Sequence, residues 1–207
     1  GIQTAPTTLL CLEQTHDLNR GIAIPRSHIQ EICRFAKNNG LKVFIDGARI
    51  FNASIALHET VATLAEDADL TAFCLSKGLA CPVGSILVGG SQEVAIARRM
   101  RQRLGGGWRQ AGILAAAGLV ALDEMVERLA EDHQKALLLA EGLLKLGFGI
   151  NVKQTQTNII HIDLGIYETN AQTFCKKLAE QSILAKPIGN KEVRMITHKD
   201  IKFEDIN

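Results

Sequence analysis

The sequence predicts an α/β domain built on a mostly parallel sheet, followed by a smaller α+β domain. Two observations carry that prediction. Leu9 to Glu13, a polar loop, a helix-spaced run and Leu41 to Ile45 make a strand–helix–strand unit. Such a unit pairs its strands in parallel through a right-handed crossover. Past residue 130 the alternation stops, and a connecting helix is followed by short strands with one further helix. The boundaries read from this are 1–130 for the larger domain with the start of its connecting helices, and 131–207 for the connecting helix and the small domain. An apolar content of 46% supports a sizeable core, and 22% charged residues argue against wholesale disorder.

Leu9 to Glu13 is a short apolar strand, and Gln14 to Gly21 is the polar loop after it. Pro25 and Ser27 open a helix in which Ile29, Ile32, Cys33 and Ala36 recur at helical spacing, and Asn39-Gly40 ends it. Leu41 to Ile45 is the second strand. A helix is predicted over Phe51 to Leu64, irregular between Asn52 and Thr60. Leu70 to Leu75 is a buried third strand, and Gly84 to Gly89 a fourth that runs back. A helix starts at Ser91 and breaks at Leu104-Gly105-Gly106-Gly107. Gln110 to Leu129 is Ala/Leu-rich and nearly uncharged to Leu122, which predicts burial on most sides. Glu131 to Leu146 is helical. Asn158 to Leu164 alternates apolar with polar residues, as a half-buried strand does. Thr169 to Gln181 is a helix capped by Thr169 or Asn170, with short strands at Ile183 to Lys186 and Val193 to Thr197.

Lys and Arg total 23 against 22 Asp and Glu, a net charge of +1, so no global field favours nucleic acid or a membrane. The run Arg98-Arg99-Met100-Arg101-Gln102-Arg103 contains no aromatic residue and reads as a solvated or subunit-facing helix. Five scattered cysteines without CxxC spacing suit reduced thiols in the cytoplasm, and nothing suggests a metal site. No apolar run has transmembrane length. The chain starts without Met and enters a strand almost at once, so it is read as incomplete at its N-terminus.

Lys77 stands between Ser76 and Gly78, directly after the third strand. A dehydrated Lys has a lowered pKa and a nucleophilic amine, which Schiff-base chemistry with a carbonyl compound or pyridoxal phosphate requires. A Lys past a strand end is otherwise an ordinary surface residue. Asp46 closes the second strand, at the edge where open α/β sheets collect ligands, although Asp-Gly is also a common turn. There a carboxylate can hold a proton on a pyridine nitrogen, so that the ring accepts electrons. Arg49 suits a phenolate oxygen or a carboxylate. Gly105-Gly106-Gly107 lets backbone approach closely, and Arg109 beside it suits phosphate or carboxylate, without a P-loop pattern. His16 follows a strand and is placed to line a site, whereas His133 is assigned to a helix face. Arg194 is a charge in an apolar strand and needs an anion, either a substrate carboxylate or a structural Asp or Glu.

Four stretches carry a resemblance: Asp46-Gly-Ala-Arg-Ile-Phe-Asn52, Leu75-Ser-Lys-Gly-Leu79 with Pro82-Val-Gly-Ser85, Gly105-Gly-Gly-Trp-Arg-Gln-Ala-Gly-Ile-Leu-Ala-Ala-Ala117, and Val193-Arg-Met-Ile-Thr-His198. In order and spacing the chain resembles the low-specificity L-threonine aldolases of the aromatic amino acid beta-eliminating lyase group. The resemblance implies the pyridoxal-phosphate fold type I of aspartate aminotransferase, with a mostly parallel seven-stranded sheet. It also implies retro-aldol cleavage of a β-hydroxy-α-amino acid, threonine or allo-threonine, to glycine and an aldehyde, in a homodimer or homotetramer. Under it, Lys77 holds pyridoxal 5'-phosphate covalently, Asp46 pairs with the ring nitrogen, and Arg49 contacts the phenolate oxygen or substrate. Arg109 binds an anionic group, and Arg194, with His16 nearby, binds the substrate. The family's Glu-Asn-Thr-His-Asn loop is Glu13-Gln-Thr-His-Asp17 here, Gln102 stands where some members carry Lys, and the family's N-terminal third is absent from this sequence. Two rival readings are another fold-type-I lyase performing β-elimination and a catalytically silent piece of such an enzyme.

Overall fold

The computed structural model describes residues 5–206. Its chain divides into two units, Gly1–Thr15 with Ile24–Glu127, and His16–Ala23 with Arg128–Asn207. In the first, β1 (Leu9–Glu13), β2 (Lys42–Asp46), β3 (Leu70–Cys74) and β4 (Ser85–Gly89) form a sheet in that order. β1, β2 and β3 are parallel and β4 is antiparallel, with Asp46 opposite Glu13 on one side and Ala72 on the other. Among the described residues this sheet has four strands, three of them parallel, where the resemblance implies seven. The crossover helix α1 (Arg26–Asn38) buries Ile29, Cys33 and Ala36, a spacing that stacks them on one face against β2. Gly40, at φ 69°, turns the chain back into the sheet.

The helix predicted across Phe51 to Leu64 is in fact two, α2 (Ile50–Leu57) and α3 (Val61–Ala65). His58 takes the left-handed conformation at φ 54°, and the Thr60 side chain then accepts the Thr63 N–H at 3.1 Å. A new N-cap two residues after a left-handed cap ends one helix and starts another. Phe51 of α2 packs edge-on to Phe73 of β3 at 5.3 Å between ring centres.

α4 (Ser91–Arg103) carries the arginine run on an exposed face. α5 (Gly112–Glu124) departs from the expectation of burial: Gly118 and Ala121 are buried, but Ile113 is 80% and Leu119 64% exposed. A helix apolar all round has no one-sided period to say which face is covered. Here it is held through Gly118, whose Cβ position lies 3.3 Å from Leu75, and through the Cys81 Sγ, which donates to the Ala117 carbonyl at 3.4 Å. Ile86, Leu87 and Val88 of the edge strand β4 are exposed as well.

The second unit contains α6 (Leu129–Lys145), β5 (Ile159–Asp163), α7 (Ala171–Glu180), β6 (Lys186–Pro187) and β7 (Glu192–Ile196), its antiparallel sheet ordered β5-β7-β6. Ala136, Ala140, Ile160, Ile162, Ala171, Cys175 and Val193 form its core. Asn170 caps α7 by accepting the Thr173 N–H at 2.8 Å. β5 was expected to be half-buried, yet Ile159, Ile160, His161 and Ile162 are all buried. The cause is the segment His16–Ala23, which folds onto it: a Cβ on Gly21 would lie 3.0 Å from Ile159, and Thr157 Oγ1 donates to the Gly21 carbonyl at 2.9 Å. The strand expected over Ile183 to Lys186 shrinks to Lys186–Pro187, since Ser182 is left-handed and Pro187 has no N–H for the ladder.

α6 also buries charge. Asp132 pairs with Arg128, and Lys135 Nζ meets Glu131 at 2.6 Å and the Phe203 ring at 5.2 Å. Burial pushes the His133 pKa down to about 4, against an opposing pull from Asp132, and burial also lowers that of His161. With a folded pKa below the unfolded one, acid favours unfolding: this stabilisation is complete above pH 6.5 and is lost as the pH falls toward 4. His133 alone is expected to cost about 2 kcal/mol of stability between pH 7.5 and pH 5. Urea midpoints at the two pH values should differ accordingly, with a smaller difference in His133→Gln. An equal acid slope in that variant would assign the effect to other groups.

Candidate active site

The end of β2 and the loop after β3 lie on one edge of the first unit's sheet. Asp46 is the last residue of β2, and the chain turns sharply there: Gly47 N–H donates to the Ala72 carbonyl at 2.7 Å and Ala48 N–H to Asp46 Oδ1 at 3.0 Å. Asp46 therefore does serve its turn, while its Oδ2 keeps no hydrogen bond among the described residues. Gln14 ties the same turn to the end of β1. Its N–H donates to the Asp46 carbonyl at 2.8 Å, and its carbonyl accepts the Arg49 N–H at 3.3 Å. Its buried side chain exchanges two 2.9 Å hydrogen bonds with the Ile24 backbone. Sequence reasoning missed Gln14 as a positioning residue. The available signal was a polar side chain directly after an apolar strand.

Gly47 is required by the closeness of β3. An added Cβ would sit 2.8 Å from the Ala72 carbonyl oxygen and 3.0 Å from Ile50 Cβ. Gly47→Ala is expected to cost about 2–3 kcal/mol, because backbone has to move, and to show as a lower urea midpoint. A loss under about 0.5 kcal/mol would mean that the turn relaxes freely.

The loop that carries Lys77 is pinned beneath it. Leu75 N–H donates to the Gly84 carbonyl at 3.0 Å, Cys81 N–H to the Leu75 carbonyl at 3.0 Å, and Ala80 N–H to the Lys77 carbonyl at 2.9 Å. Leu75, Leu79 and Cys81 are buried, so the loop is anchored while Lys77 points outward. Its amine has no hydrogen bond or ion pair among the described residues. The dehydrated setting expected for Lys77 is not found within this chain, where the residue is exposed because the loop passes beyond the sheet edge.

Arg49 is half-buried at the N-cap position of α2, three residues along the turn from Asp46. Arg109 is exposed, three residues before α5. The glycines before it close the end of α4: Gly106 N–H donates to the Arg101 carbonyl at 2.8 Å, Gly105 has φ 81°, and a Cβ on Gly107 would sit 1.7 Å from Gln102 Oε1. Gly106 and Gly107 thus pack against the side chains of Arg101 and Gln102, whereas Gly105 has open space around it and is required by its positive φ.

In the second unit, exposed His16 caps a short 3-10 turn, its Nδ1 accepting the Asn19 N–H at 3.2 Å. Arg194, in the central strand β7, has a protein anion, Asp17, as its partner. The first unit thus brings Asp46 and Arg49 to one turn, with Lys77 past the end of the neighbouring strand. The second brings Arg194 together with the residue after His16. No group of three His, Cys, Asp or Glu able to hold a metal occurs among the described residues.

An unpartnered primary amine, a carboxylate with one oxygen uncommitted and an adjacent arginine fit a group that offers an aldehyde, a protonatable ring nitrogen and anionic oxygens. Pyridoxal phosphate has all three.

The beta-eliminating lyase family model matches residues 1–164. The chain is 43% identical over 202 residues to a probable low-specificity L-threonine aldolase 2 of Arabidopsis thaliana, covering 97% of this chain and 57% of that protein. It is 40% identical over 207 residues to the low specificity L-threonine aldolase of Escherichia coli K12, covering 99% and 59%. A crystal structure of an aromatic amino acid beta-eliminating lyase/threonine aldolase from Exiguobacterium superposes with a TM-score of 0.80 at 21% identity, over 99% of this chain and 63% of that one. The chain therefore spans less than two thirds of each of these proteins.

Proposed function

The chain belongs to the beta-eliminating lyase family, and from that premise we propose that the intact protein is a pyridoxal 5'-phosphate-dependent L-threonine/L-allo-threonine aldolase. It cleaves β-hydroxy-α-amino acids to glycine and an aldehyde. The observation that carries the reading is the Lys77 amine, unpartnered among the described residues, on an anchored loop beside the strand end that holds Asp46. The relatives' names support the substrate class.

When bound, pyridoxal phosphate supplies an electron sink for the pair left on the substrate α-carbon as the Cα–Cβ bond breaks. Lys77 attaches the cofactor through Nζ. Asp46 keeps the proton on the ring nitrogen, and its own orientation is fixed by the Ala48 N–H. Arg49 donates to the phenolate oxygen or to substrate, and Arg109 holds an anionic group. Arg194 grips the substrate carboxylate and so sets which bond at the α-carbon is broken, with His16 at the same substrate. The reading includes a homodimer or homotetramer and a cytoplasmic location, the latter in keeping with cysteines that are all free. It also includes further protein surface over Ile86, Leu87, Val88, Ile113 and Leu119, since large exposed apolar patches mark contacts.

The family's description favours β-elimination as a second reading. The test is to supply cofactor-loaded intact protein with L-allo-threonine, L-threonine, L-serine and aromatic amino acids. Glycine with an aldehyde is the expected product pair. Ammonia with a keto acid, and no glycine, would transfer the assignment to β-elimination.

A further inference from the structure

We propose that Asp17 is a resident counter-ion on Arg194 which an incoming substrate carboxylate has to displace, so that Asp17 sets how tightly the site takes amino acids. This rests on Arg194 being the carboxylate anchor.

The donor geometry of Arg194 carries the argument. Asp17 Oδ1 accepts from Nη1, and Nε is buried with no hydrogen-bond partner among the described residues. A guanidinium offers a carboxylate two bidentate edges, Nη1 with Nη2 or Nε with Nη2. The second is sealed by the burial of Nε. The first includes Nη1, which Asp17 engages, and the pair is not sealed, the Arg194 side chain being 12% and that of Asp17 32% exposed. A substrate carboxylate, chemically equivalent to that of Asp17, competes with it for Nη1 and gains an unshared two-point grip by displacing it.

The surrounding charges do not relieve this competition. Arg20, the other cation on the Asp17 segment, is engaged by Glu192 at 3.3 Å. His161, opposite Arg194 in the β5–β7 register, has its Nδ1 3.6 Å from the same Glu192, and burial favours its neutral form. Asp17 also sits on an anchored segment. His16 caps its turn, Thr157 holds the Gly21 carbonyl, and Gln156 Oε1 accepts the Ala23 N–H at 3.1 Å. An anchored carboxylate competes at high effective concentration.

The test uses cofactor-loaded intact protein carrying Asp17→Asn, Asp17→Ala or Arg194→Lys, titrated with glycine and followed by the absorbance of the bound cofactor. Glycinamide, which lacks the carboxylate, is the comparison ligand. Both Asp17 variants should bind glycine about three- to tenfold more tightly and glycinamide as before, and KM for the amino acid should fall more than kcat changes. Arg194→Lys should weaken glycine alone. Unchanged or weaker glycine affinity in both Asp17 variants, with Arg194→Lys still impaired, overturns the role of Asp17 and leaves that of Arg194 standing. Unchanged glycine affinity in Arg194→Lys removes the anchor itself, and the inference with it.

Discussion

Lys77→Ala is expected to abolish covalent retention of the cofactor and to lower turnover roughly 10³-fold or more, since the attaching amine is gone. Borohydride treatment of the loaded wild-type protein should fix the cofactor on the peptide containing Lys77, and the variant should retain none. Lys77 is exposed and unpartnered among the described residues, and its loop is anchored by Leu75, Leu79 and Cys81. The substitution should therefore shift stability by no more than about 0.5 kcal/mol, which separates a chemical loss from a folding one. Cofactor fixed at a single different Lys would refute the assignment.

The second large effect is expected at Asp46, where two roles can be separated. Oδ1 accepts the Ala48 N–H, and Oδ2 has no hydrogen bond among the described residues. Asp46→Ala removes the turn acceptor and the charge. Asp46→Asn keeps an acceptor for the turn and removes only the charge that holds the ring proton. Turnover should fall roughly 100-fold or more in both variants, with weaker cofactor binding, because the ring loses its partner. A stability loss of about 1 kcal/mol should accompany Ala alone. Near-wild-type turnover in Asp46→Asn would reduce Asp46 to a turn residue.

Much of the first unit was legible because its signals are local. The strand from Leu9 to Glu13, the helix face of Ile29, Cys33 and Ala36, and the glycine break after α4 each follow from spacing within one element. The split between α2 and α3 was less legible, since a left-handed His58 followed by a Thr60 cap leaves only a blur in apolar periodicity. The exposure of α5 was illegible for the opposite reason: its composition records that it is apolar, not which surface meets it.

By itself the sequence determined the order of elements, the strand-end positions of Asp46 and Lys77 and the family, because short-range periodicity and motif spacing depend on neighbours along the chain. Only the tertiary structure decided that His16–Ala23 belongs with the second unit and buries the outer face of β5. It also decided that Gln14 locks the Asp46 turn, and that Arg194 meets Asp17, a residue 177 positions away. An apolar strand announces that its arginine needs an anion. Which carboxylate supplies it depends on where a distant loop lands, and that is settled by packing.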